Sequence, residues 1–252
     1  MVSVCIDMMY SDLSFSNRIQ AVKAAGIRTV EFWKWSNKAI EEIADSGVEV
    51  SIFNLDSRDA QLSYDLSRGI LNDGREEDFL SALLESIPVY RKLGARAMIV
   101  LIGEGKPYCA ENAYRCLLAA KPILDRENVN LVIEPLNNID RKGYAMPYAK
   151  PVFDLIERLN TPHIKMLYDI YHQNMMGDFS MEEIRQRISQ IGHFHVADAP
   201  GRHEPGTGGV DYVSILREIR KLPYSGYIGL EYRATKPDGE TFGFLKEAGY
   251  LV

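Results

Sequence analysis

The chain predicts an α/β fold and, within that class, a single domain over residues 1–252 built as a (β/α)₈ barrel of the TIM type. Three observations point there. Strand-like and helix-like stretches alternate through all 252 residues, and eight repeats at that length are what a barrel needs. No change of composition marks a second domain. The last four strands each deliver an acid or an imidazole at their ends, and a barrel keeps its chemistry at the C-terminal ends of its strands. A doubly wound open sheet would show the same alternation. Its nucleotide-binding versions carry G-x-G-x-x-G after the first strand or G-x-x-x-x-G-K-[ST], and the chain has neither. Gly206-Thr207-Gly208-Gly209 is followed by no lysine and reads as a flexible loop.

Taken in order, Val2 to Asp7 is a short apolar run ending in an acid, the first strand. Ser16 to Ala25 follows as a helix with Ile19 and Val22 inward, stopped by Gly26. Thr29 to Phe32 is the second strand. Its exit, Glu31-Phe32-Trp33-Lys34-Trp35, sets both tryptophans at a strand end, where they can wall a pocket or pack a helix onto the barrel. Asn37 caps a helix through Ser46, and Val48 to Phe53 is the third strand. Residues 54–75 are polar, with Asn54, Asp56, Arg58, Asp59 and Arg75, and form the longest connection: a candidate lid, or an irregular loop with a short helical piece.

Glu76 to Leu93 carries Phe79, Leu80, Leu83, Leu84, Ile87 and Tyr90 on one helical stripe ahead of Gly94. Ala97 to Leu101 is strand four, and Glu111 to Asn128 is a helical stretch that Pro122 should kink or divide. Asn130 to Glu134 is strand five, halted by Pro135. Pro151 to Leu159 is a helix with Val152, Phe153, Ile156 and Leu159 inward, and Ile164 to Asp169 is strand six. Met181, Ile184, Ile188 and Ile191 recur at helical spacing and lead into strand seven, Ile191 to Ala197, whose alternation sends His193 and His195 to one face. Pro200-Gly201 turns the chain, and Arg202, His203 and Glu204 follow. Tyr212 to Lys221 is a helix, Tyr227 to Tyr232 is strand eight with Glu231 near its end, and a short helix closes the chain.

Composition narrows the function. A 46% hydrophobic content is ample for a buried core, and the net charge of −6, from 35 acidic and 29 basic residues without long runs, argues against nucleic acid as a partner. No charged-then-apolar leader and no apolar run of about 18 residues is present, so no membrane is expected and a cytoplasmic location is. Cys5, Cys109 and Cys116 are odd in number and lack CxxC spacing, and read as core thiols of a reducing compartment. A homo-oligomer is left open.

If the barrel forms, Glu134, Asp169, His195 and Glu231 come from the ends of four adjacent strands and converge. Three carboxylates and one imidazole suit one divalent ion, Mn²⁺ or Mg²⁺ first and Co²⁺ or Zn²⁺ as alternatives, with two positions left for substrate. Without a cation the carboxylates would repel and take up protons. A vicinal hydroxy-carbonyl compound can chelate such an ion, which stabilises the ene-diolate left when a carbon-bound proton is removed. Glu134 and Glu231, on non-neighbouring strands, can address opposite faces of the substrate, one abstracting the proton and the other returning it. His172 is placed to hydrogen-bond a substrate oxygen, and Arg202 can hold a carboxylate by its planar fork. His193 lies deeper in the barrel as a core histidine; His203 and Glu204 are weaker candidates.

At these residues the chain resembles a known family. Ile133-Glu134-Pro135-Leu136-Asn137, Tyr168-Asp169-Ile170-Tyr171-His172-Gln173, Gly192-His193-Phe194-His195 with Pro200-Gly201-Arg202-His203-Glu204-Pro205, and Gly229-Leu230-Glu231-Tyr232 are similar to the blocks of hydroxypyruvate isomerase-like proteins in the xylose isomerase-like TIM barrel superfamily. The resemblance covers nearly the whole chain. It implies a metal-dependent sugar or sugar-acid isomerase or epimerase, with the metal on Glu134, Asp169, His195 and Glu231 and the acid/base pair on Glu134 and Glu231. Characterised hydroxypyruvate isomerases carry glutamine where this chain has His195, whereas related ketose 3-epimerases carry histidine. Asp140 sits where those epimerases have a substrate-contacting glutamate, while the Pro-Gly-Arg-His-Glu-Pro run draws the chain toward the hydroxypyruvate side.

The readings that follow are isomerisation of a small hydroxy-carbonyl acid with Arg202 on its carboxylate, and C3 epimerisation of a free ketose faced by Trp33 or Trp35. Three further ones are lyase or dehydratase action through the same ene-diolate, phosphodiester cleavage, which the acidic balance disfavours, and non-catalytic sugar binding.

Overall fold

The computed structural model describes residues 1–251 and is a closed barrel of eight parallel strands in sequence order. They are β1 (Val2–Cys5), β2 (Thr29–Phe32), β3 (Glu49–Asn54), β4 (Ala97–Leu101), β5 (Leu131–Glu134), β6 (Ile164–Asp169), β7 (Ile191–Val196) and β8 (Ile228–Leu230). β8 closes on β1 with Ile228 opposite Val2 and Leu230 opposite Val4. Nearly every strand residue is buried, because one face fills the barrel and the other meets helices, which is why these strands read as apolar runs rather than alternating ones. Among the described residues no helix is long and apolar enough to cross a membrane.

The helices are α1 (Phe15–Ala24), α2 (Ile40–Asp45), α3 (Ala60–Arg68), α4 (Glu76–Leu93), α5 (Ala110–Glu127), α6 (Ala149–Leu159), α7 (Ile170–Met175), α8 (Met181–Arg187), α9 (Tyr212–Lys221) and α10 (Gly243–Glu247). α6 buries Val152, Phe153, Ile156 and Leu159 as expected. α2 begins later than expected: the Asn37 amide oxygen accepts from Lys38 Nζ at 3.0 Å and caps no backbone N–H. On α4 the buried stripe runs through Phe79, Ala82, Leu83, Ser86, Ile87, Val89, Tyr90 and Leu93, leaving Leu84 51% exposed. α5 is not divided by Pro122. The ring lies on the exposed side of the helix, as does Leu118, the residue whose carbonyl would have accepted from the missing N–H.

Residues 54–75 contain α3 and a 3₁₀ turn at Leu71–Asp73 rather than an open loop. Asp59 starts α3 by accepting from the Leu62 N–H at 2.8 Å. Gly69 ends it at φ 94°, and a Cβ there would lie 2.4 Å from the backbone nitrogen of Gly103. Both the left-handed backbone and the close approach require glycine. Gly69→Ala should therefore destabilise the protein by about 2 kcal/mol or more in urea denaturation; unchanged stability would show that the 66–72 and 101–104 segments part without cost.

Candidate active site

Four neighbouring strands supply the floor of the site. β5 ends on Glu134 and β6 on Asp169, β7 places His195 opposite Asp169, and Glu231 follows β8 with its N–H still donating to Val196 at 3.2 Å. One ligand atom from each of Glu134, Asp169, His195 and Glu231 lies within 4.8 Å of the others, and all four residues are buried. His195 Nδ1 is 3.3 Å from Glu134 Oε1 and 3.2 Å from Glu231 Oε2. Neither Glu134 Oε1 nor His195 Nδ1 makes a well-aligned hydrogen bond. Buried donors that converge without pairing are what a missing cation would satisfy, so the residues fit a divalent ion.

Asp169 serves two ends at once. Its Oδ1 caps α7 by accepting from the N–H groups of Tyr171 at 2.8 Å and His172 at 3.2 Å, while Oδ2 faces the site 3.4 Å from His172 Nε2. His172 Nδ1 accepts from the backbone N–H of Asn137 at 3.2 Å, so Nε2, which has no partner, carries the proton and points at the site. Asn137 also holds Asp140, whose Oδ2 accepts from Asn137 Nδ2 at 3.0 Å and from the Tyr171 hydroxyl at 2.6 Å.

Arg202 arrives from the loop after β7 at φ 56°, in a turn clamped by Asp198, which accepts from the N–H groups of Ala199, Gly206 and Val210. Gly206 thus sits in an anchored turn. The Arg202 guanidinium bonds Glu231 Oε2 and reaches within 3.9 Å of Asp169. Trp33 Nε1 donates to the other Glu231 oxygen at 2.7 Å.

The charges divide the carboxyls. Burial raises Glu134 above the usual range and pushes Asp169 up to about 7, although Arg202 and His195 work against it. Burial would raise Glu231 too, but Arg202 and His195 outweigh it and hold that carboxyl well below the usual range. Burial lowers His172, with Arg202 adding to the effect, and keeps its ring neutral.

Above the floor opens a cavity of about 460 Å³ lined by Trp33, Lys34, Asp140, His172 and Arg202 among others. Trp35 is elsewhere: it is buried and donates to Ser86 Oγ at 2.9 Å. His203 and Glu204 pair with the Arg233 carbonyl and Thr235 and stay out of the cluster. Two residues escaped the pattern reading. Glu31, buried under the floor against His193 and His195, signalled itself only as a charge inside an apolar strand. Lys34 reaches the cavity from the exit of β2, its Nζ donating to the Ser63 carbonyl and hydroxyl at 3.2 and 3.1 Å.

A match of residues 19–248 to the family described as "Xylose isomerase-like TIM barrel" decides the affiliation. The chain belongs to this family. It is 30% identical over 241 residues to hydroxypyruvate isomerase of Escherichia coli (strain K12), covering 92% of each chain. It is 28% identical over 252 residues to 2-oxo-tetronate isomerase of Cupriavidus necator, covering 96% of this chain and 95% of the relative. Among solved structures, "AP endonuclease, family 2 from Brucella melitensis" superposes with TM-score 0.88 at 22% identity over 97% of each chain. An L-ribulose 3-epimerase superposes with TM-score 0.73 at 19% identity, covering 98% of this chain and 85% of that one. At those identities the structural likeness establishes the barrel alone.

Proposed function

We propose that the protein is a divalent-metal-dependent isomerase of a small hydroxy-carbonyl acid, with hydroxypyruvate to tartronate semialdehyde as the reference reaction. The observation that carries this reading is the floor of three carboxylates and one imidazole, with its unpaired atoms, beneath a cavity of small-molecule size. The curated isomerase relatives support the same class.

Glu134, Asp169, His195 and Glu231 would hold the ion, which when bound supplies a positive charge beside the developing ene-diolate. Glu134 and Glu231 flank the site from β5 and from beyond β8. One removes the proton from the hydroxyl-bearing carbon and the other delivers a proton to the former carbonyl carbon, while the hydroxyl proton passes between the two oxygens. The neutral His172 donates from Nε2 to a substrate oxygen. Trp33 and Arg202 hold Glu231 in place from its two oxygens. Among the described cations that line the cavity, Arg202 is engaged on Glu231, Lys38 pairs with Asp7 and Arg141 with Glu104, which leaves Lys34, bonded to no carboxylate, for a substrate carboxylate.

The test is deuterium incorporation in D₂O with Mn²⁺, using hydroxypyruvate and a panel of free ketoses beside an EDTA-treated control. Exchange next to the carbonyl of the acid supports the reading, and exchange of a ketose at C3 alone replaces it with the epimerase reading, which His195 and the Trp33 wall favour. Lys34→Met should raise KM for the acid about tenfold with little change in kcat, because it removes binding shared by ground and transition states; an unchanged KM would take Lys34 out of substrate recognition.

A further inference from the structure

Under the floor, the Glu31 side chain points from β2 into the barrel and is 2% exposed. Its two oxygens have different company. Oε2 accepts from Ser3 Oγ at 2.5 Å and from Ser51 Oγ at 3.1 Å and lies 3.0 Å from His193 Nε2. Oε1 lies 3.0 Å from His195 Nε2, a close charge contact in which neither atom makes a well-aligned hydrogen bond. Strand β8, the neighbour of β7, leaves room for this pairing at Gly229, where a Cβ would fall 2.4 Å from Glu31 Oε1 and 2.7 Å from His193 Nε2. Gly229 has an ordinary strand backbone, so glycine is needed there for space and not for conformation.

We infer that Glu31 is a positioning residue: it fixes the proton of His195 on Nε2 and thereby presents Nδ1 as the metal-binding nitrogen. A carboxylate only accepts, so hydrogen is favoured on Nε2 beside Glu31 whatever the state of the site, and when an ion is bound it is the hydrogen on Nδ1 that the ion displaces. Nδ1 is the nitrogen 3.2 to 3.3 Å from Glu231 and Glu134. The imidazole is thus held at both ends, with its plane set at 89° to that of His193. The inference rests on the metal-centre reading above. The rival arrangement is a second ion held by Glu31, His193 and His195, whose ligand atoms also lie close together.

The test uses metal-stripped, ¹⁵N-labelled full-length protein. Mn²⁺ is titrated calorimetrically, and ¹¹³Cd²⁺ is loaded to find which His195 nitrogen couples to the metal. The expected results are one equivalent of metal, coupling at Nδ1, and a Kd about 10- to 100-fold weaker in Glu31→Gln with the circular dichroism of the fold retained. Gly229→Ala, which displaces Glu31 without removing its charge, should weaken binding in the same direction. Should Glu31→Gln not fold, the coupling pattern of the wild-type protein decides alone. Coupling at Nε2, a Kd unchanged in a folded Glu31→Gln, or a second equivalent of metal that this variant loses would each overturn the inference. Failure of the wild-type protein to bind either ion would overturn the metal centre itself, and the inference with it.

Discussion

Glu231→Gln should lower exchange of the carbon-bound proton by about 10²- to 10⁴-fold while leaving the fold intact. The amide keeps the shape of the side chain and an oxygen for the Trp33 indole, whose N–H now bonds Glu231 Oε1 at 2.7 Å. It cannot take up a proton from carbon. It also leaves Arg202 without its strongest partner. Deuterium exchange measured at saturating Mn²⁺ separates loss of the base from loss of a ligand. Retained exchange at saturating metal would remove Glu231 from the acid/base role.

Withdrawing the metal should have the second large effect. Exchange in EDTA falls to the solvent background. An ion present at about 100 times its Kd contributes about 2.7 kcal/mol to folding, so stripping it should lower Tm by roughly 5–10 °C for a chain of this length. The pH dependence follows from Asp169, whose carboxyl burial pushes up to about 7. Its folded pKa lies above its unfolded value, so the metal-free fold binds the extra proton and loses stability as pH rises from about 4 toward 7. Over the same interval the ion takes the place of that proton and should bind more tightly. Calorimetric titrations at pH 5.5 and 7.5 check this; equal affinity at the two values would detach Asp169 from the ion.

How much of this was legible beforehand depended on whether the deciding interaction is local. Glu76–Leu93, Ala97–Leu101, Ile164–Asp169 and Tyr212–Lys221 were readable end to end, because periodicity and the flanking stops lie within one stretch of chain. The convergence of Glu134, Asp169, His195 and Glu231 was readable as well, since a parallel barrel brings consecutive strand ends side by side. The α3 helix lies in a polar stretch that reads as a lid or as an irregular loop with a short helical piece: its cap, Asp59, works locally on Leu62, but its terminator, Gly69, is required by the backbone of Gly103 in a distant segment. The short α7 was missed because the residue that caps it is the acid already claimed by the site. Glu31 was out of reach: its meaning depends on Ser3, Ser51, His195 and the vacancy at Gly229, which come from four other strands.

The two tryptophans differ in a way that reaches beyond packing. The Trp33 indole rests on Glu231 at the edge of the cavity, whereas Trp35 is sealed against Ser86. One fluorophore should therefore respond to changes of charge or occupancy at Glu231, and the other should supply a steady background. The protein carries its own optical gauge, and the filling of its site can be followed in real time without a label or a coupled assay.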